Sequence, residues 1–147
     1  MKLVKTIHSG TTCLTIGILF LAFLFQSCAT KYPFNNSFIV PAAEGSVKVS
    51  TDKNNNYKAV LSVKRLAEPS RLNPSRQVYV VWMETVQNGT KNIGQLITSS
   101  SFLSHELKSS LTTVSSFEPV AFFITAEDNV GIQYPEGQEV LRTHLSR

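Results

Sequence analysis

The residue whose type and position most clearly predict chemistry is Cys28. It follows an apolar run that begins near Leu14, and Ser27 stands directly before it. Lys2 and Lys5 give the start of the chain a positive charge. A charged start, a short apolar run and a small residue at its end are typical of a secretory signal peptide. The thiol at position 28 is therefore the predicted attachment point of a lipid on the exported chain.

The residues before Cys28 resemble a lipobox, the motif that bacterial lipoprotein signal peptidases recognise. Ser27 fits that motif, and the two residues before it depart from its commonest form. We expect residues 1–27 to be removed as a lipoprotein signal peptide. One alternative is a membrane-spanning anchor, but a spanning helix needs about 20 apolar residues, and the clearly apolar stretch is only 13–25. The other is an ordinary cleaved signal peptide that leaves a free cysteine.

Candidates for catalysis or metal binding are sparse in the exported part. His105 and His144 are far apart and lack HxH or HxxxH spacing, so no zinc site is predicted. No Gly-x-Ser-x-Gly elbow and no glycine-rich phosphate loop occur in the sequence. The acidic segment 127–129, with Glu136, could offer oxygen ligands to Ca²⁺, but its spacing is not that of a known calcium loop and favours a solvated turn. We therefore predict a protein without enzymatic activity, cofactor or metal.

Length and charge limit what the exported part can be. Removing residues 1–27 leaves 120 residues, which is enough for one domain with its own core. It also leaves 12 basic against 10 acidic residues, a net charge of about +2. This charge is too small to predict a nucleic-acid-binding surface, which requires clustered basic residues. Only one cysteine remains, so no intrachain disulfide can form.

Short alternating apolar runs between turn residues predict an all-β domain over residues 45–147. Residues 28–44 hold two prolines and no period, and we interpret them as a lipidated tether. Asn88 and Gly89 predict a hairpin turn, whereas the serines at 99–101 predict a loop. About seven strands in about 100 residues is typical of an immunoglobulin-like antiparallel β-sandwich. The predicted strands cover residues 46–51, 57–66, 77–86, 91–98, 105–114, 119–126 and 138–145.

Two of these strands have informative side-chain patterns. The strand at 57–66 alternates, with Lys58 and Lys64 on its polar face. The strand at 77–86 is apolar on both faces, which indicates a central position in a sheet. We therefore predict that Trp82, on this second strand, is a core residue.

The second half of the domain resembles a known family in its packing and turn residues. The matching residues are Tyr79-Val-Val-Trp82 followed by Gly94, then Phe122-Phe-Ile-Thr-Ala-Glu127 followed by Pro135-Glu-Gly-Gln-Glu-Val-Leu141. This succession is similar to the extracytoplasmic domain of anti-sigma-K factors, over about residues 77–142. The resemblance implies a β-sandwich and no catalytic residue. Anti-sigma-K factors carry a cytoplasmic sigma-binding domain and a membrane-spanning helix before this module, where this chain has the predicted lipoprotein signal.

Together these features predict a membrane-anchored lipoprotein with a non-enzymatic binding or scaffold domain in the bacterial cell envelope. The expected partners are the membrane, through the lipid on Cys28, and an envelope protein, with no nucleic acid. Ala29 favours the outer membrane, facing the periplasm, because an aspartate at this position retains lipoproteins at the inner membrane in many Gram-negative bacteria. The alternative is an envelope sensing or regulatory module related to anti-sigma factors, acting with a separate membrane partner.

Overall fold

The computed structural model describes residues 29–101 and 104–145, which form an all-β domain. The predicted signal peptide and Cys28 lie outside these residues. A short 3-10 helix at Pro69–Arg71 interrupts the connection between the third and fourth strands. The strands are β1 (Thr30–Pro33), β2 (Glu44–Thr51), β3 (Tyr57–Lys64), β4 (Val78–Thr85), β5 (Gly89–Gln95), β6 (Ile97–Ser101), β7 (Ser104–Ser115), β8 (Pro119–Glu127) and β9 (Gln138–His144).

The strands form two antiparallel sheets packed face to face. Sheet A has the order β1-β2-β3-β7-β6, and sheet B has the order β5-β4-β8-β9. Without β1, the order β2-β3-β7-β6 of sheet A corresponds to strands A-B-E-D of an immunoglobulin domain. In sheet B, β4-β8-β9 corresponds to strands C-F-G, and β5 is one more strand beside C. The predicted immunoglobulin-like sandwich is therefore confirmed, with β1 as an extra edge strand.

Alternating side chains from both sheets fill the space between them. On β3 the inward residues Leu61 and Val63 are fully buried, and the predicted polar residues Lys58 and Lys64 point outward. Tyr79 from β4 also enters this core, and its hydroxyl donates a 2.9 Å hydrogen bond to the carbonyl of Ala67. Burial raises the pKa of Tyr79 to about 12. The alternating pattern of the sequence therefore predicted correctly which side chains of β3 face the core and which face solvent.

The segment predicted as a tether, residues 28–44, is largely part of the sandwich. Thr30–Pro33 pairs along β2 as strand β1, and Phe34 and Val40 in the following loop are buried in the main core. A four-residue strand is too short to show a period, and a proline is tolerated at a sheet edge because no neighbouring strand needs its missing donor. The sandwich therefore begins at Thr30, and only Ala29 separates it from the predicted lipidated cysteine.

The serines predicted as a loop, residues 99–101, are the end of strand β6. This strand pairs with β7 from Ile97 opposite Ser110 onward. Residues 29–101 and 104–145 therefore form nine strands where the sequence predicted about seven, and the two additional strands, β1 and β6, are the two edges of sheet A. An edge strand is held by one ladder of backbone hydrogen bonds, so it does not require an alternating apolar pattern.

Trp82 is buried, but on the opposite side of sheet B from the main core. The core-facing residues of β4 are Tyr79, Val81 and Met83, whereas Trp82 forms a second cluster with its β4 neighbour Val80 and with a phenylalanine of β8. The predicted central position of β4 is confirmed. The prediction that Trp82 is a core residue is confirmed as well, since its side chain is fully buried, although a loop rather than the other sheet covers its side.

Candidate functional site

The two histidines considered for metal binding lie in different sheets. His105 is on β7 in sheet A, and His144 is the exposed last residue of β9 in sheet B. Across residues 29–101 and 104–145, no group of three or more histidine, cysteine, aspartate and glutamate side chains could hold a metal ion. The geometry of the described chain therefore offers no metal centre to build a reaction on.

The acidic segment considered for Ca²⁺ has its oxygens engaged within the protein. The carboxylate of Asp128 accepts a 2.5 Å ion-paired hydrogen bond from Arg76. The side-chain oxygen of Asn129 accepts a hydrogen bond from the backbone amide of Gly131 at 2.8 Å. Ca²⁺ needs six to eight oxygens directed at one point, whereas Asp128 is directed at Arg76, before β4, and Asn129 at its own loop. They form a turn, which is the alternative that the spacing left open.

Glu127 closes a chain of buried hydrogen bonds on the outer side of sheet B. The indole nitrogen of Trp82 donates to the hydroxyl oxygen of Thr125 at 2.7 Å. That hydroxyl in turn donates to Glu127 Oε1 at 2.6 Å, which also accepts from the backbone amide of Glu136 at 3.2 Å. Burying a carboxylate is unfavourable unless hydrogen bonds replace its lost water. Glu127, only 2% exposed, therefore fastens the loop that covers it.

That covering segment is the β8–β9 loop, residues 128–137. The side-chain amide of Asn92, on β5, donates to the carbonyls of Val130 and Ile132 at 2.8 and 2.9 Å. Ile132 in turn packs on the outer cluster that contains Trp82. Hydrogen bonds from two strands and an apolar contact thus hold this loop flat on sheet B.

Arg142, on β9, joins three groups on the same side of sheet B. Its guanidinium bonds both oxygens of Glu139 at 2.6 to 2.9 Å and reaches Glu84 at 2.8 Å. It also lies 4.3 Å from the ring centre of Phe123. The hydrogen bonds to Glu139 and then to Glu84 outweigh partial burial and raise the pKa of Arg142 above its ordinary value. Bidentate pairing with a carboxylate is among the stronger charged contacts in proteins.

Replacing Arg142 by methionine should lower the free energy of unfolding by about 1–2 kcal/mol. The change leaves Glu84 and Glu139 facing each other without the cation between them. Urea unfolding measures the difference. The matched control is Arg71→Met, whose 77% exposed side chain makes one ion pair with Glu68 at 3.4 Å and should change stability by less than about 0.5 kcal/mol. Equal effects of the two substitutions would contradict this account.

Three residues that carry the family resemblance lie together in this region. Trp82 and Glu127 are joined through the hydroxyl of Thr125. Gly137 lies so close to β8 that an added Cβ would be 1.8 Å from the carbonyl oxygen of Ala126. These residues shape and seal the outer side of sheet B, so their contribution is to packing rather than to chemistry.

The outer side of sheet A is different, because it is open to solvent and carries positive charge. Lysines from four neighbouring strands are placed on it by the register of the sheet. Lys31 is directly opposite Lys48, and Lys64 is directly opposite Lys108. We call this surface the basic face, and its lysines are Lys31, Lys48, Lys58, Lys64 and Lys108.

The charge of the basic face is compensated only in part. Glu44, on β2, lies directly opposite Lys64 and forms an ion pair with Arg65. Within the described residues, Lys31, Lys48 and Lys58 form no ion pair. Like charges directly opposite each other on neighbouring strands destabilise a sheet. An anion bound between these lysines would therefore convert a repulsion into an attraction.

A shallow groove of about 500 Å³ crosses the basic face. Three lysines, Lys31, Lys48 and Lys64, line it together with one acid, Glu44, and with uncharged residues such as Ser46. Sheet B differs in charge, since its strands carry three acidic and two basic residues. The small net charge, from which no nucleic-acid-binding surface was predicted, does not reveal this clustering of lysines. The structure instead separates the charges, because lysines from distant parts of the sequence share one face.

Comparison with known proteins adds no family to this description. Neither protein-family models, nor curated proteins, nor solved structures give a match to the chain. In the part of the chain that the structure describes, no helix has the length and apolarity needed to cross a membrane. The fold and the basic face are therefore the structural grounds on which function has to be argued.

Proposed function

We propose that this chain is a lipoprotein of the bacterial cell envelope, anchored through Cys28, whose immunoglobulin-like sandwich is a non-enzymatic binding or scaffold domain. The observation that carries the proposal is the basic face, an ordered and open sheet surface with lysines from four strands. Enzyme sites are typically concave and largely apolar, with a few convergent polar groups. An open, charged sheet surface with only a shallow groove is suited instead to contact with a large partner.

The position of the sandwich in the chain supports the anchor. β1 starts at Thr30, and both sheets are built from residues after position 29. Cleavage before Cys28 would therefore leave every described strand in place. Bacterial lipoproteins carry more than one acyl chain, and a second chain turns marginal membrane binding into stable anchoring. With Ala29 next to the lipidated residue, the proposed location is the outer membrane, facing the periplasm.

Metabolic labelling with radioactive palmitate tests the anchor. We expect the wild-type protein to incorporate label and the Cys28→Ser variant to incorporate none. Cys13→Ser is the matched control, because Cys13 lies in the segment that is removed and its substitution should leave labelling unchanged. Mass spectrometry of the mature N-terminus is the second measurement. Label on the Cys28→Ser variant, or a mature chain that still carries residues 1–27, would overturn the proposed anchor.

The second candidate is a sensing or regulatory module related to anti-sigma factors, acting with a separate membrane partner. The observation that favours it is the grouping of Trp82, Glu127 and Gly137, three residues of the family resemblance, on the outer side of sheet B. Crosslinking in the intact envelope, followed by affinity purification, distinguishes the two candidates. Recovery of a transmembrane anti-sigma or protease component would favour regulation. Recovery of structural envelope proteins alone would favour a scaffold.

A further inference from the structure

We propose that the basic face lies against the anionic phosphate headgroups of the bilayer that holds the protein. This inference rests on the proposed lipid on Cys28, and it adds the orientation of the domain and the chemistry of its contact. The sandwich would then be a domain that lies on the membrane surface, leaving sheet B free to face away from it.

The connection between the proposed lipid and the first strand is short. Consecutive Cα atoms are about 3.8 Å apart, so two residue steps from position 28 to Thr30 span at most about 7 Å. A flexible tether of the predicted length, residues 28–44, would have let the domain stand away from the bilayer. Because β1 is part of sheet A, the sandwich must instead sit at the level of the headgroups.

The position of β1 indicates which face is turned to the bilayer. β1 is the edge strand of sheet A, and Lys31 is its second residue. Lys48 lies directly opposite Lys31 on β2. Lys58 lies near the same end of the sheet, since the neighbouring Tyr57 pairs with Thr51. The lysines therefore begin beside the anchored end of the chain and extend across four strands.

The chemistry of the face matches an anionic bilayer surface. Each lysine close to such a surface strengthens binding by about fivefold, and the attraction is lost within a Debye length. Two exposed apolar residues stand on the same face, Ile97 (66% exposed) and Val114 (61% exposed). Headgroup phosphates placed between the lysines would relieve their mutual repulsion, and the apolar side chains can enter the interfacial layer.

Lysine labelling of the acylated protein in vesicles tests the orientation. The full mature chain, with its acyl groups first verified by mass spectrometry, is reconstituted into phosphatidylcholine vesicles with or without phosphatidylglycerol. An amine-reactive reagent is applied briefly, and labelling is measured at each lysine. We expect Lys31, Lys48, Lys58 and Lys64 to be labelled several times more slowly when phosphatidylglycerol is present. Lys91, on β5 of sheet B, should be labelled equally in both, and high salt should abolish the difference.

Variants show whether the charges themselves carry the contact. In the Lys48→Gln/Lys58→Gln double variant, the protection of Lys31 by phosphatidylglycerol should fall severalfold. The matched control Lys91→Gln should keep the wild-type protection. All three substituted lysines are exposed, and thermal unfolding of each variant verifies that the domain is still folded.

Three results would overturn the inference: equal labelling of the basic face in both kinds of vesicle, protection of Lys91 instead, or protection by added duplex DNA without protection by phosphatidylglycerol. The last result would assign the face to nucleic acid. A mature chain without acyl groups would overturn the proposed anchor, and this is seen before labelling begins. An acylated chain with equal labelling would overturn the orientation alone.

Discussion

Replacing Gly137 by alanine should destabilise the domain by about 3–5 kcal/mol. A Cβ at this position would lie 1.8 Å from the carbonyl oxygen of Ala126 and 2.8 Å from Glu127 Oε2. Ala126 cannot withdraw, because its strand is hydrogen-bonded to β4 on one side and β9 on the other. Glu127 cannot withdraw easily either, because Thr125 and the amide of Glu136 hold its other oxygen. The β8–β9 loop would have to lift from the sheet.

Gly131→Ala, in the same loop, is the matched control. An added Cβ there would have its nearest neighbour, the side-chain oxygen of Asn129, at 3.6 Å, which is an ordinary contact. Its stability should stay within about 0.5 kcal/mol of wild type. Urea unfolding followed by the fluorescence of the chain's one tryptophan compares the variants. If both alanines unfolded at the wild-type urea concentration, the close approach of Gly137 to β8 would be refuted.

Lifting the β8–β9 loop from the sheet would also remove contacts that do not involve Gly137. The loop supplies Ile132 to the outer cluster and the amide of Glu136 to the buried carboxylate of Glu127. Losing both would leave Trp82 facing water and a buried acid with fewer hydrogen bonds, and each of these changes is unfavourable. Loop closure, burial of the tryptophan and satisfaction of the carboxylate are therefore one cooperative event.

The strands whose side chains alternate were predictable from the sequence. On β3 the lysines fall on one face and the core residues on the other, as the period of two requires. The turn at Asp52 was also predictable, because its carboxylate accepts hydrogen bonds from the amides of Asn54 and Asn56, and Asn55 adopts a positive φ of 60°. At the β4–β5 hairpin, Gly89 has a φ of 63°, the conformation that its turn type requires.

The two edge strands of sheet A were not predictable by the same rule. β1 is short and ends in Pro33, and β6 ends in three serines. Neither has an alternation that a period-based prediction can detect. They exist because β2 and β7 present unpaired backbone groups, and an extended segment satisfies them whatever its side chains. Whether such a segment becomes a strand therefore depends on the strand beside it rather than on its own sequence.

The basic face could be predicted only in part. The lysines of β3 were placed on a common face by their spacing, but those of β1, β2 and β7 join them only through the strand order and register. A net charge averages over the whole chain and is blind to this arrangement. Separating the charges of sheet A from those of sheet B requires knowing which strands are neighbours, and strand order cannot be read from composition.

The two faces of β4 show the same limit for apolar residues. Val81 and Trp82 are both buried and are adjacent in sequence, yet one faces the main core and the other the outer cluster. A strand apolar on both sides predicts that both sides are covered, but not by what. The cover on the Trp82 side is a loop fastened by Asn92 and Glu127, so the energy of burying Trp82 depends on that loop staying in place.

Replacing Trp82 by alanine should therefore destabilise the domain by about 3–5 kcal/mol. The substitution removes the contact with Phe123, whose ring centre is 6.2 Å from that of Trp82. It also removes the donor that bonds the hydroxyl of Thr125 at 2.7 Å. Trp82→Phe keeps one aromatic ring but loses that donor and part of the buried ring volume, so its effect should be smaller, about 1–3 kcal/mol.

Phe38→Ala is the control for the loss of a large aromatic side chain, because Phe38 is 98% exposed and its removal should change stability by less than about 0.5 kcal/mol. Thermal and urea unfolding followed by circular dichroism measures all three variants without relying on tryptophan fluorescence. If the Trp82→Ala protein melted like wild type, burial of Trp82 under the β8–β9 loop would be disproved. A loss in Trp82→Phe equal to that in Trp82→Ala would mean that the contacts a phenyl ring can keep contribute nothing, and that the stability comes from the indole nitrogen and the larger indole ring.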